Sequence, residues 1–127
     1  MTERELLAPR EDVWGFLSEP YHLSDWWPGI LGVEPDRRGF APGARWKVRV
    51  TRRNLFTGRR VEETLLLVRE VLPYELWSWH LLSTRLDVEI RLRATAPDRT
   101  VVSIRGPRRP ERALDRLYDL CQTAADI

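Results

Sequence analysis

The stretch ELLAPREDVWGFLSEPYHLSDWWPG, residues 5–29, predicts the end of a strand followed by two short helices. Pro9 with acidic residues behind it is typical of a helix start. The first helix ends before Pro20, because the residue preceding a proline avoids the helical region. The second helix ends at the Trp-Trp-Pro-Gly sequence of residues 26–29. Two helices this short do not bury a core alone, so we expect them to cover a sheet.

Most of the chain after residue 41 alternates apolar and polar residues with the period of a β-strand. Residues 45–53 and 86–96 alternate cleanly, so each predicted strand has one apolar and one charged face. Residues 61–72 are apolar on both faces in their middle, which leaves their inward face undecided. Short turns that contain proline or glycine predict a largely antiparallel sheet of about six to seven strands.

Residues 110–125 carry apolar side chains at helical spacing and predict an amphipathic helix about 24 Å long. We therefore expect an α+β fold in which a curved sheet wraps around a long C-terminal helix, with two short helices after the first strand. One helix does not fill a curved sheet, so an apolar cavity between them is expected. The pattern runs without a linker, and residues 1–127 are predicted to form one domain.

The composition and charge of the chain argue against several classes of function. The net charge is only +2, although the pI is about 9.1. A nucleic-acid module usually shows a larger excess and a clear basic face, so no nucleic-acid partner is expected. No apolar run approaches the roughly 18 to 20 residues of a membrane span, and the N-terminus has no apolar leader. With the single Cys121 excluding a disulfide framework, these features favour the cytoplasm.

Residues that carry chemistry form no recognised motif. The two histidines, His22 and His80, lack the paired spacing of metal ligands, so neither a metal nor a cofactor is expected. His80 lies on the less apolar face of its strand, where we expect solvent or a hydrogen bond at the rim. The serines lack the context of a nucleophile, and the glycines form no phosphate-binding loop. No catalytic residue is assigned.

Three segments carry a resemblance to a known superfamily. They are APREDVWGFL at residues 8–17, WWPG at residues 26–29 and VREVLPYELW at residues 68–77. The chain resembles, over nearly its whole length, the START-like superfamily, also called SRPBCC. That group contains lipid-transfer domains, polyketide cyclases and hormone-binding relatives. The resemblance implies a helix-grip fold with an apolar cavity between the sheet and the C-terminal helix.

The ligand-binding residues are predicted from inward-facing positions and from this resemblance. Six tryptophans in 127 residues is a high number, and aromatic walls suit flat or acyl ligands. Trp27 is placed at the cavity mouth by analogy with the superfamily, and Tyr118 is the candidate polar handle. The alternative is that these side chains only fill the core. The full set is Trp27, Trp46, Val48, Phe56, Leu66, Trp77, Trp79, Val88, Ile90, Leu117, Tyr118 and Cys121.

Three functions follow. The first is binding or transport of a hydrophobic small molecule or lipid in the cavity. The second is an enzyme of the polyketide cyclase/dehydratase kind that uses the same cavity, and the third is a protein-interaction module like the relatives that assist chaperones. Separately, the loop at residues 52–60 combines four arginines with apolar residues, which suits transient contact with an anionic membrane or an acidic partner. In the alternative, Phe56 folds back over the cavity mouth.

Overall fold

The sheet has seven strands and is antiparallel throughout. A computed structural model of the chain describes residues 2–54, 56 and 58–122. Within them the strands are β1 Thr2–Leu6, β2 Ile30–Glu34, β3 Arg45–Asn54, β4 Gly58–Leu72, β5 Leu76–Leu81, β6 Leu86–Ala96 and β7 Arg99–Arg105. They are ordered β1-β7-β6-β5-β4-β3-β2. The predicted α+β class and antiparallel pairing are confirmed.

A helical layer covers one face of this sheet. The helices in the described residues are α1 Arg10–Leu17, α2 Leu23–Trp26 and α3 Glu111–Leu120, with a 3-10 turn at Pro20–His22 before α2. The two edge strands are both covered, because α3 packs against β1 and α2 against β2. Since α2 and α3 also touch each other, the layer reaches from one edge of the sheet to the other.

The prediction of a long C-terminal helix over residues 110–125 is wrong for the part that the structure describes. Helix α3 has ten residues, about 15 Å, and ends with Cys121 in a non-helical conformation. Asp119 lies in its last turn, where no basic side chain offsets the negative end of the helix dipole. Residues 123–127 lie outside the described residues. No helix in the described parts of the chain is long and apolar enough to cross a membrane.

The inward faces of the strands follow the predicted alternation. Trp77, Trp79 and Leu81 of β5 are buried, as are Val88 and Ile90 of β6. The register settles the undecided strand β4. Leu66 is paired with Trp46 and Val68 with Trp79, so these positions face the helices. Leu65 and Leu67 on the outward face are apolar as well, which is why the sequence pattern left the inward face undecided. A bulge after Val68 then shifts the alternation by one residue.

Arg85, in the turn between β5 and β6, has a positive φ of 52° and an exposed side chain. A left-handed backbone costs roughly 1–2 kcal/mol in a residue with a Cβ atom. We expect Arg85→Gly to be at least as stable as the native chain and Arg85→Val to be less stable, because a branched Cβ is less compatible with a positive φ than the unbranched Cβ of arginine, measured by urea unfolding. At Arg93, exposed on β6, the order should reverse, with Arg93→Gly the less stable variant. The same order at both positions would contradict the backbone argument.

Cys121 lies beneath the end of α3, 5% exposed. Burial, with a smaller contribution from the Asp12 carboxylate, raises the pKa of its thiol from 9.0 to about 11. The native protein therefore favours the neutral thiol, a preference that stabilises the fold below pH 9 and is lost as the pH rises towards 11. Two consequences follow, one for reactivity and one for stability.

We expect the native thiol to react with a disulfide reagent at pH 8 far more slowly than the same protein in denaturant. The unfolding free energy of the native chain should also fall by about 2 kcal/mol more than that of Cys121→Ala between pH 9 and 11. Parallel pH profiles for the two proteins, or fast labelling of the folded chain, would show that the thiol is accessible and not shifted.

Candidate functional site

Five tryptophans form the centre of the space between sheet and helices. The tryptophan cluster comprises Trp26, Trp27, Trp46, Trp77 and Trp79, and none of them is more than 7% exposed. The ring centroids of Trp27 and Trp79 are 4.9 Å apart and those of Trp77 and Trp79 are 6.0 Å apart. The cluster links α2 to β3 and β5, so it fills space that a helix-grip fold could leave for a ligand.

Two members of the cluster bury polar groups without a partner. The indole Nε1 atoms of Trp77 and Trp79 have no hydrogen-bond acceptor among the described residues. The Nε1 atom of Trp46, in contrast, donates to the carbonyl oxygen of Gly39 at 2.6 Å. A buried donor without an acceptor typically costs about 1–3 kcal/mol. The interior therefore offers two hydrogen-bond donors to any acceptor that reaches them.

A cavity opens at the end of the sheet where the β5–β6 turn lies. We call it the rim cavity, and its volume is about 200 Å³. Its floor is apolar and belongs to the inner face, whereas clefts elsewhere on the described surface are lined by charged side chains such as Lys47 and Arg49 or Arg91 and Arg93. The residues that line it are Trp27, Pro28, Gly29, Ile30, Val50, Thr51, Arg52, Glu62, Leu81, Ser83, Thr84 and Leu86.

Five polar side chains border the rim cavity: Thr51, Arg52, Glu62, Ser83 and Thr84. Nη1 of Arg52 lies 3.2 Å from a carboxylate oxygen of Glu62, and both side chains remain open to solvent. On the other side, the amide of Ser83 donates to Oγ1 of Thr64, which attaches the β5–β6 turn to β4. The Oγ atom of Ser83 is buried and has no partner among the described residues. Ser83 thus brings a hydroxyl to the cavity border, although the oxygen atom itself is shielded from the cavity in this conformation.

The predicted site residues do not converge on one cavity. Trp27 lines the rim cavity, and Trp79 and Val88 back a groove that also contains Arg69 and Asp87. The remaining inward residues are buried, and none of them lines the rim cavity: Trp46, Val48, Leu66, Trp77, Ile90, Leu117 and Cys121. Helix α3 also contributes nothing to the rim cavity. Ligand binding by the residues outside this cavity stays a prediction.

Two predicted site residues lie away from the tryptophan cluster. Phe56, at the end of the β3–β4 hairpin, is 94% exposed and does not fold back over the cavity mouth. Tyr118, on α3, is half-buried, and the guanidinium of Arg4 lies 4.2 Å from its ring centre. Arg4 also pairs with Asp115 of α3. The Tyr118 ring is thus engaged in attaching α3 to β1.

The sequence analysis did not select the residues at the cavity edge. Ile30, Val50, Leu81 and Leu86 are apolar and inward-facing, as the alternation predicted for the last three. Nothing in that alternation distinguishes a cavity wall from a packed core position. Ser83 lies in a turn between two strands, and no sequence pattern there indicates that a serine borders a cavity.

The described part of the chain contains few other groups that could bind a metal or carry out catalysis. No group of three or more metal-binding side chains is found there. Nδ1 of His80 donates a hydrogen bond to the Asp87 carboxylate at 2.8 Å, on the outer face of the sheet. This pair lies on the opposite face of the sheet from Leu81 and Leu86, the neighbouring residues that line the rim cavity. The arrangement suits binding through apolar contact and single hydrogen bonds.

Solved structures with the same fold come from several organisms. The protein NE0264 from Nitrosomonas europaea is 19% identical, with a TM-score of 0.65 over 99% of this chain and 95% of that one. DR_A0006 from Deinococcus radiodurans is 15% identical, with a TM-score of 0.70 over 99% and 96%. At these identities the likeness shows the fold alone.

A third structure is the di-domain ARO/CYC protein StfQ from the steffimycin biosynthetic pathway. It is 12% identical with a TM-score of 0.72, and the match covers 98% of this chain but 45% of that one. This chain therefore spans less than half of StfQ. None of the curated proteins matches the chain.

A family model described as polyketide cyclase / dehydrase and lipid transport matches residues 2–120. This match, together with the shared fold, confirms the resemblance to the START-like superfamily. The chain belongs to the polyketide cyclase / dehydrase and lipid transport family.

Proposed function

We propose that this protein binds a small hydrophobic molecule in the rim cavity, with one polar group of the ligand hydrogen-bonded to Ser83. The observation that carries the proposal is an apolar cavity bordered by Ser83, whose buried hydroxyl has no partner among the described residues. Ligand sites commonly combine apolar walls with a few polar groups that fix orientation. The family description, which includes both lipid transport and polyketide chemistry, is consistent with a ligand of this type.

The size of the cavity limits the ligand. An apolar cavity of roughly 150 Å³ accommodates one benzene ring, whereas pockets for drug-sized ligands are about 300–1,000 Å³. At about 200 Å³, the rim cavity fits one or two fused rings or a short acyl segment. A diacyl lipid needs more room than this. The best candidate is therefore a compact aromatic or short-chain molecule with a hydroxyl or carbonyl group.

A longer ligand has one route inward, past Trp27. The Trp27 ring lines the rim cavity and contacts Trp79 edge-to-face on its other side. If Trp27 turns aside, the cavity joins the space around Trp79, whose indole N–H has no acceptor. A ligand oxygen that accepts this hydrogen bond would offset part of the cost of moving the ring. In this proposal, Trp27 separates a small outer site from a deeper one.

The cyclase/dehydratase reading remains the alternative, since a reaction needs at least two polar groups aimed at one reacting atom. Arg52 and Glu62 are paired with each other and open to water, and the hydroxyl of Ser83 is hydrogen-bonded to neither of them. This geometry favours binding over catalysis. The sequence also predicts that residues 52–60 contact an anionic surface. That contact does not depend on a ligand in the rim cavity.

The cavity can be tested by filling it. Leu86 lines it and is partly exposed, whereas Leu82, in the same turn, is 45% exposed and does not line it. We expect 2-naphthol to shift amide signals around Trp27 and Ser83 in NMR titrations, and Leu86→Trp to weaken its binding at least about tenfold because the added indole occupies the space. Leu82→Trp should bind normally. Equal affinities in the two variants would place the ligand elsewhere.

The hydroxyl of Ser83 can be tested separately. A neutral hydrogen bond contributes about 0.5–1.5 kcal/mol, so Ser83→Ala should weaken 2-naphthol binding about three- to tenfold. The same variant should leave the affinity for 2-methylnaphthalene, a near-isostere without the hydroxyl, unchanged or slightly raised. Calorimetry or NMR titration measures both. A similar loss for the two ligands would mean that Ser83 acts on the shape of the cavity and not as a hydrogen-bonding group.

A further inference from the structure

The β3–β4 hairpin projects beyond the rest of the sheet. Pairing of β2 with β3 ends at Val50, and pairing of β5 with β4 ends at Leu66. Residues 52–54 and 58–60 therefore pair only with each other. We call these six residues, together with Phe56 between them, the cationic ribbon. Three residues on each side extend it about 10 Å past the neighbouring strands.

The ribbon concentrates positive charge. Register places Arg52 opposite Arg60, and Arg53 opposite Arg59. Residues 51–61 contain four arginines and no acidic residue, whereas the net charge of the whole chain is +2. The rest of the chain thus has a net charge of −2. Like charges directly opposite each other destabilise a strand pair, so this arrangement favours a partner that supplies negative charge.

Acidic residues of the chain supply little of that charge. Arg52 pairs with Glu62 at 3.2 Å, across two exposed side chains. Among the described residues, no carboxylate lies within ion-pair distance of Arg59 or Arg60, and both side chains are exposed. Phe56, between the two strands of the ribbon, is 94% exposed to solvent. The ribbon thus combines an exposed aromatic ring with exposed arginine side chains at positions 52, 59 and 60.

We infer that the cationic ribbon contacts the surface of an anionic lipid bilayer, with Phe56 inserted at the headgroup level and the arginines on lipid phosphates. The end of the ribbon combines an aromatic ring with arginines, and an anionic bilayer combines an apolar interior with a negatively charged surface. The two are therefore complementary. A nucleic-acid partner fits less well, because the rest of the chain is net negative and provides no extended basic face. The base of the ribbon, Arg52, also lines the rim cavity, so this contact turns the cavity mouth towards the bilayer.

The test is co-sedimentation of the full chain with phosphatidylcholine vesicles that contain about one-third phosphatidylglycerol, at low ionic strength. We expect binding that disappears with phosphatidylcholine alone and falls steeply with added salt. Each arginine near an anionic surface is worth about fivefold in affinity, so the Arg59→Glu/Arg60→Glu variant should bind about 25-fold more weakly or worse. Phe56→Ser should lose about fivefold, roughly half of the free energy of burying a phenylalanine.

The matched control is Arg108→Glu/Arg109→Glu, which changes the net charge by the same amount at exposed positions before α3. It should keep most of the vesicle binding, and both double variants should keep the native affinity for 2-naphthol. Equal losses in the two double variants would show a general charge effect and overturn the inference. So would the absence of binding to anionic vesicles, or tighter binding of the chain to a short DNA duplex than to the vesicles.

Discussion

The edge-to-face contact between Trp27 and Trp79 connects the helical layer to the middle of the sheet. Trp27 follows α2 directly, and Trp79 lies at the centre of β5. Such aromatic pairs contribute about 0.5–1.5 kcal/mol beyond the area they bury. The contact also fixes where the loop after α2 runs, and with it one wall of the rim cavity. Packing of the core and the shape of the site therefore depend on the same pair of side chains.

The strands were largely predictable because a period of two is a local property of the sequence. Each of β3, β5 and β6 alternates cleanly, and each buries the face that the alternation indicated. The inward face of β4 was not predictable, because Leu65 and Leu67 on its outward face are apolar too, and a bulge after Val68 shifts the alternation near its end. Only pairing with β3 and β5 shows which side chains face inward. The excess length predicted for α3 has a similar origin, since an apolar stripe indicates which face a helix buries and not where the helix ends.

The site was less predictable than the fold for a physical reason. Alternation identifies every residue whose side chain faces the helices. Most of these residues, such as Trp46 and Ile90, pack into a filled core. The rim cavity lies where three separate segments fail to meet: the loop at Trp27, the middle of β3 and the β5–β6 turn. The position of that turn depends on the left-handed Arg85 and on the bond from Ser83 to Thr64. Neither the left-handed backbone of Arg85 nor this hydrogen bond produces a repeating pattern in the sequence.

The indole N–H groups of Trp77 and Trp79, which have no acceptor among the described residues, bear on why tryptophan occupies these two positions. A phenylalanine at position 77 or 79 fills similar space without burying an N–H group that has no acceptor, so tryptophan there costs stability if packing is its only role. Trp46 avoids this cost because its N–H reaches Gly39. Trp77 and Trp79 do not, and the Trp79 ring is one side chain away from the rim cavity. In the proposed function, these donors receive a ligand oxygen once Trp27 turns aside, a role that packing alone does not give them.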